Sequence, residues 1–85
     1  MEVQAQLGML PGWELKGCTI TRLYKFNDFM QAIAFVNRVS QLAEAADHHP
    51  DMDIRYSKVR LTLSTHAAEG LTQKDFDLAL QIDRA

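Results

Sequence analysis

The chain has 85 residues, 47% hydrophobic and 24% charged: enough for one folded domain spanning 1–85, and a composition that argues against disorder. A formal net charge of −2 gives no electrostatic reason to expect nucleic-acid binding, and no stretch approaches the roughly 18 apolar residues of a membrane span. Cys18 stands alone, so no internal disulfide can form, and the start lacks the basic and apolar pattern of a secretory signal; a cytoplasmic protein is expected.

Val3, Leu7 and Leu10 fall at helical spacing, but Gly8 weakens that pattern and Pro11-Gly12 ends it, so at most a short helix leads in. Trp13-Glu14-Leu15 alternates, Lys16-Gly17 supplies a turn, and Cys18 to Phe26 resumes an extended pattern, which reads as a hairpin. Ile20, Tyr24 and Phe26 share one of its faces, with Thr19, Thr21, Leu23 and Lys25 on the other. Cys18 itself is expected to be a small packing residue.

Asn27-Asp28 offers N-cap chemistry for a helix running to about Ala46. Phe29, Ile33, Val36 and Ala43 lie near one stripe that Ala32, Val39 and Leu42 widen, a face broad enough to pack on a sheet. Met52 to Ser57 reads as a short strand with a turn near Ser57-Lys58. Val59, Leu61, Leu63 and Thr65 then alternate with Arg60, Thr62 and Ser64, the clearest one-face-buried strand in the chain. Beyond a loop through Gly70, Thr72 with Asp75 resembles a capping box and Leu71 with Phe76 a hydrophobic staple. They open a last helix from about Gln73 to Ile82, which buries Phe76, Ala79 and Leu80. The order hairpin, helix, hairpin, helix predicts an α+β domain: a four-stranded antiparallel sheet with helices packed on one face.

All three histidines lie in two short segments, Asp47-His48-His49-Pro50 and Ser64-Thr65-His66. An imidazole, with an ordinary pKa of about 6.5, can give or take a proton near neutrality. Pro50 ends the helix, so the pair sits at a turn of the chain, and a hairpin folding back could bring His66 to it. Three imidazoles could serve metal-free acid–base chemistry, could form a zinc shell with one water, or could simply face solvent. Against zinc, neighbouring histidines chelate one ion poorly, and there is no helical H-x-x-x-H spacing. Glu44 and Asp47 could fix an imidazole tautomer or could be solvated; Asp75 has a capping role that makes catalysis its weaker reading. Trp13 and Tyr56 could stack on a flat heterocycle, although aromatic residues in short strands are more often core.

One spaced pattern runs through these residues: Glu44, three residues, His48-His49-Pro50, five residues, Tyr56, nine residues, His66, eight residues and Asp75. Leu10-Pro11-Gly12-Trp13, Phe35-Val36-Asn37, Ser64-Thr65-His66 and Gly70-Leu71-Thr72 extend it. In this pattern the chain resembles the pterin-4a-carbinolamine dehydratase family. The resemblance implies dehydration of a 4a-hydroxytetrahydropterin to quinonoid dihydropterin, without metal or other cofactor, in the recycling that follows pterin-dependent aromatic amino-acid hydroxylation. His48 and His66 would be the acid–base pair, and His49 would orient the substrate. Asp47, Pro50, Ser64, Thr65 and Ala67 would line the pterin, with Glu44 at the pocket edge and Asp75 in support. A homodimer or homotetramer is implied. The alternatives are a non-catalytic dimerisation module that binds helices of a transcription factor, and a dehydratase acting on another pterin, as in molybdopterin metabolism.

Overall fold

Residues 3–85 are described by the structure, a computed structural model. A short helix α1 (Val3–Gly8) is followed by β1 (Glu14–Lys16), β2 (Thr19–Lys25), the long helix α2 (Phe29–Ala46), β3 (Asp51–Arg55) and β4 (Lys58–Leu63). A 3-10 turn over His66–Ala68 then leads to helix α3 (Gln73–Arg84). The four strands form one antiparallel sheet in the order β1-β2-β4-β3.

Register decides which residues the sheet buries. Ile20 faces Leu63, Arg22 faces Leu61 and Tyr24 faces Val59, and on the far side of β4 Met52 faces Leu61 and Ile54 faces Val59. Side chains that oppose one another lie on the same face. This face supplies Ile20, Val59, Leu61 and Leu63 to a core completed by Ala32, Phe35, Val39 and Ala43 of α2 and by Phe76, Leu78, Ala79 and Ile82 of α3. Both long helices therefore cover one side of the sheet. The other side carries Lys16, Thr19, Thr21, Leu23, Arg60, Thr62 and the acidic residues of β3, and it is open.

Local chemistry sets the element ends. Asp28 caps α2, its carboxylate accepting from the Gln31 N–H at 2.8 Å. At the start of α3 the Asp75 carboxylate accepts from the Thr72 N–H at 2.9 Å, while Leu71 packs against the core to which Phe76 belongs. Gly12 has φ +96°, a conformation that residues with a Cβ rarely adopt, and the Arg22 guanidinium comes close beside it, 2.8 Å from where a Cβ would stand. Arg22 in turn donates to the Pro11 carbonyl at 3.0 Å.

One carboxylate ties the far end of α3 to the first hairpin. Asp83 accepts from Trp13 Nε1 at 3.0 Å and from the Tyr24 hydroxyl, and pairs with Arg22 at 3.2 Å. Its side chain is only 18% exposed, so losing it strands several donors. Asp83→Ala is expected to lower stability by about 2 kcal/mol, roughly 10 °C in Tm, read by thermal unfolding. Burial, and then the hydrogen bond to Asp83, hold the Tyr24 phenol above its ordinary value. The stability this group contributes is intact below an unfolded pKa of about 10 and is lost as pH climbs from there towards the higher folded value. A urea midpoint that falls less steeply above pH 10 (about the unfolded value) in Tyr24→Phe than in the parent would bear this out.

The structure shifts several expectations. Phe29 is 45% exposed, and the buried stripe of α2 runs through Phe35 instead, because the sheet meets the helix along Ala32, Phe35, Val39 and Ala43. Strand β3 starts and ends earlier than expected. Tyr56 occupies the turn with φ 54° and is 70% exposed, so it is neither core nor strand. Helix α3 runs two residues further, to Arg84, and Leu78 and Ile82 are buried in it, while Leu80 is half-buried. Cys18 sits exposed at the tip of the β1–β2 turn and is not a packing residue. Among the described residues, no helix is long and apolar enough to cross a membrane.

Candidate active site

The end of α2 aims the histidine pair. Asp47 adopts the left-handed conformation (φ 51°, ψ 44°), its N–H donating to the Glu44 carbonyl and the His48 N–H to the Ala43 carbonyl, both at 3.1 Å. This pairing of the last free carbonyls reverses the chain, a job usually given to glycine. It sends the His48 side chain inward, leaving it 11% exposed, while His49 points out and is 57% exposed.

His48 meets a buried carboxylate. Its Nε2 lies 2.6 Å from Oδ1 of Asp75, whose side chain is fully enclosed. The other oxygen, Oδ2, accepts from the Thr65 hydroxyl and from the Thr72 N–H, each at 2.9 Å. Thr65 and Thr72 hydroxyls are themselves 2.8 Å apart. A carboxylate on Nε2 places the proton there, so in the neutral ring Nδ1 is left with a lone pair to accept a proton. Asp75 thus serves the start of α3 and holds His48 at once.

His66 is presented by a small closed loop. Thr65 and Gly70 bond reciprocally through their backbones, at 2.7 and 3.3 Å, and the 3-10 turn between them closes on Glu69 in the left-handed conformation. The exposed ring lines a cavity of about 420 Å³. Ser64, Thr65 and His66 form one wall; Cys18 of the β1–β2 turn, Thr19 at the start of β2, Asp51 of β3, and Glu69 with Gly70 complete it.

Among the expected site residues, Ser64, Thr65 and His66 line this cavity, and His48 is joined to Thr65 through Asp75. Glu44 and His49 pair with each other at 2.6 Å on the surface. Asp47 and Ala67 are exposed and Pro50 is half-buried; none of these five is part of the cavity wall. Cys18, Thr19, Asp51, Glu69 and Gly70 escaped sequence reasoning. Cys18, Thr19 and Asp51 are brought there by strand register, which no local pattern near the histidines announces, and Glu69 and Gly70 by the closed loop after His66. Among the described residues, no three histidine, cysteine or acidic side chains are grouped to hold a metal ion.

A buried carboxylate holding His48, with His66 facing an adjacent cavity, marks the candidate site of this α+β domain. The chain belongs to the pterin 4 alpha carbinolamine dehydratase family, whose model matches residues 1–85. It is 52% identical over 84 residues to a protein of Nostoc sp. (99% of this chain, 90% of that one), provisionally named a pterin-4-alpha-carbinolamine dehydratase. A Roseiflexus sp. protein of the same provisional name is 57% identical over 82 residues, covering 96% of this chain and 88% of the relative. The crystal structure of a transcriptional coactivator/pterin dehydratase from Brucella melitensis superimposes with a TM-score of 0.93 at 36% identity, over 98% of this chain and 90% of that one. A pterin dehydratase-like protein described as a RuBisCO assembly factor in the alpha-carboxysome shares the fold, with a TM-score of 0.70 at 19% identity over 85% and 83% of the two chains.

Proposed function

We propose that this protein dehydrates a 4a-hydroxytetrahydropterin to quinonoid dihydropterin by histidine acid–base catalysis, without metal or other cofactor. The observation that carries the reading is the Asp75 carboxylate, which orients His48 through one oxygen and Thr65, the neighbour of His66, through the other. In the reaction the C4a–O bond breaks as the hydroxyl takes up a proton and leaves as water. The N5 proton is removed, and its electron pair completes the C4a=N5 bond. One protonated and one neutral imidazole supply both transfers. His48 and His66 take these roles, and the framework that Asp75 builds keeps their segments together.

His49, held by Glu44 at the surface, orients the ring in this reading, with Asp47, Pro50 and Ala67 at its edge. His49→Ala is therefore expected to raise KM several-fold (about 1 kcal/mol of lost binding) with a smaller change in kcat, measured by steady-state dehydration. The product must be reduced and the substrate formed by hydroxylation elsewhere, which places the enzyme between a pterin-dependent aromatic hydroxylase and a dihydropterin reductase.

A stopped-flow assay with synthetic 4a-hydroxytetrahydropterin, run with and without a chelator, tests the proposal. Turnover that survives chelation is expected; no acceleration over the buffer rate would remove the dehydratase reading, and loss on chelation would remove its metal-free form. The Brucella melitensis relative is described as a transcriptional coactivator as well as a pterin dehydratase. A purely partner-binding role here would leave the carbinolamine decaying at its uncatalysed rate.

A further inference from the structure

We infer that the open face of the sheet carries an anion subsite beside the histidine cavity, centred on Lys16 and Arg60, and that it selects pterins whose C6 side chain ends in a phosphate or carboxylate. The inference rests on the dehydratase reading and deepens it by naming the class of substrate.

A hollow of about 160 Å³ lies on that face, lined by Lys16, Thr19, Thr21, Arg60 and Thr62, with no carboxylate in its wall. Thr19 also lines the histidine cavity, so the two depressions adjoin. Strand geometry sets the reach. Thr62 of the hollow lies two residues before Ser64 of the cavity on the same face of the chain, about 7 Å along it, a span a short carbon side chain can bridge.

The hollow's hydroxyls are committed to the protein. Thr19 donates to the Lys16 carbonyl at 2.8 Å, and Thr21, only 3% exposed, donates to the Leu61 carbonyl at 2.9 Å. The Thr21 oxygen then accepts from Arg60 Nη1 at 3.3 Å, which steadies the guanidinium over the sheet. What remains for a ligand is the Lys16 ammonium and the other guanidinium N–H groups of Arg60. Register sets Glu14 opposite Thr21, Asp51 opposite Thr62 and Asp53 opposite Arg60, yet the ion pairs among the described residues leave Lys16 and Arg60 without an acidic partner.

A second observation points the same way. Beyond Arg60 a hollow of about 310 Å³ continues to Arg55 and Lys58, again bordered by Arg60 and lined as well by Leu23 and by Asp53, whose carboxylate is paired with Arg55. There Lys25, Lys58 and Arg55 stand directly opposite one another across three strands, and of these three cations Arg55 alone has an ion pair among the described residues, with Asp53. Like charges opposed in register are destabilising, and a bound anion relieves them. Two cations free to make charge-assisted contacts, backed by this field, suit a doubly charged oxyanion.

The test compares 4a-hydroxytetrahydropterins with a neutral methyl group or a phosphorylated hydroxyalkyl chain at C6, in parent protein, Lys16→Gln and Arg60→Gln. For the parent, KM about tenfold lower for the phosphorylated substrate at similar kcat is expected, and each variant should erase most of that preference while leaving the methyl substrate unchanged. Equal KM values in the parent, or variants that affect both substrates alike, would overturn the subsite. Fluorescence binding of the corresponding stable oxidised pterins keeps the two readings apart. A phosphate preference lost in Arg60→Gln, without turnover of either substrate, would uphold the subsite and sink the dehydratase. Turnover without any preference would do the reverse. Inorganic phosphate should compete with the phosphorylated pterin; phosphate binding at Arg60 that leaves this pterin's affinity unaltered would mean a free-anion site and overturn the substrate assignment.

Discussion

His66→Ala is expected to lower kcat for carbinolamine dehydration about 10²- to 10⁴-fold, the usual worth of a positioned acid or base. His48→Ala should lose a similar factor, and the contrast between the two variants is diagnostic. The His66 ring is exposed and lines the cavity without a hydrogen bond to another side chain among the described residues, so its removal should leave Tm within about 1 °C of the parent. The His48 ring is nearly enclosed and satisfies Asp75, so its removal should cost stability as well as rate. Stopped-flow dehydration and thermal unfolding on the same preparations measure both. Full activity in His66→Ala would remove that residue from the chemistry whatever happened to His48.

The second large effect falls on Asp75. Asp75→Ala leaves His48 Nε2, the Thr65 hydroxyl and the Thr72 N–H without their acceptor inside the protein, and it deletes the cap of α3. Removing one partner of a buried charged network costs about 3–5 kcal/mol, a large share of the stability of so small a domain. Asp75→Asn separates positioning from folding. An amide oxygen can still accept from Thr72 and Thr65, but its NH₂ group then faces Nε2 and favours the opposite tautomer of His48. The expected result is a folded protein, modestly destabilised, whose kcat falls with KM little changed and whose pH–rate profile is displaced. A shared loss of Tm and activity with an unmoved pH profile would mean that Asp75 is structural only.

Much of this architecture is legible in the chain because period and punctuation agree. The alternation from Val59 to Leu63, the cap at Asp28 and the Leu71–Phe76 staple each encode their element locally, and the order of elements leaves one natural sheet. Phe29 shows where that legibility ends: it fits the broad apolar stripe, and only the line along which the sheet meets the helix decides that it is exposed and that Phe35 is buried instead. At the candidate site, the histidine spacing and the family resemblance single out His48, His66 and Asp75 as candidates. The bond from His48 to Asp75 is not visible from spacing, because it depends on how the α2 terminus turns against the start of α3. Cys18 and Thr19 are hidden for a related reason: they reach the cavity through the pairing of Ile20 with Leu63, more than forty positions away. The Lys16–Arg60 hollow is equally silent in sequence, since a net charge of −2 averages away a local cluster.

The strand order also bears on how the molecule folds. The seam between β2 and β4 joins the two hairpins only after α2 and β3 have been crossed, so neither hairpin gains its partner early, and an isolated hairpin is marginal in water. Refolding should accordingly proceed in a single cooperative phase, limited by closure of that distant contact. The cavity straddles the same seam, with Thr19 on one side and Ser64 on the other, so ligand affinity and native fluorescence should return with one rate constant after dilution from denaturant.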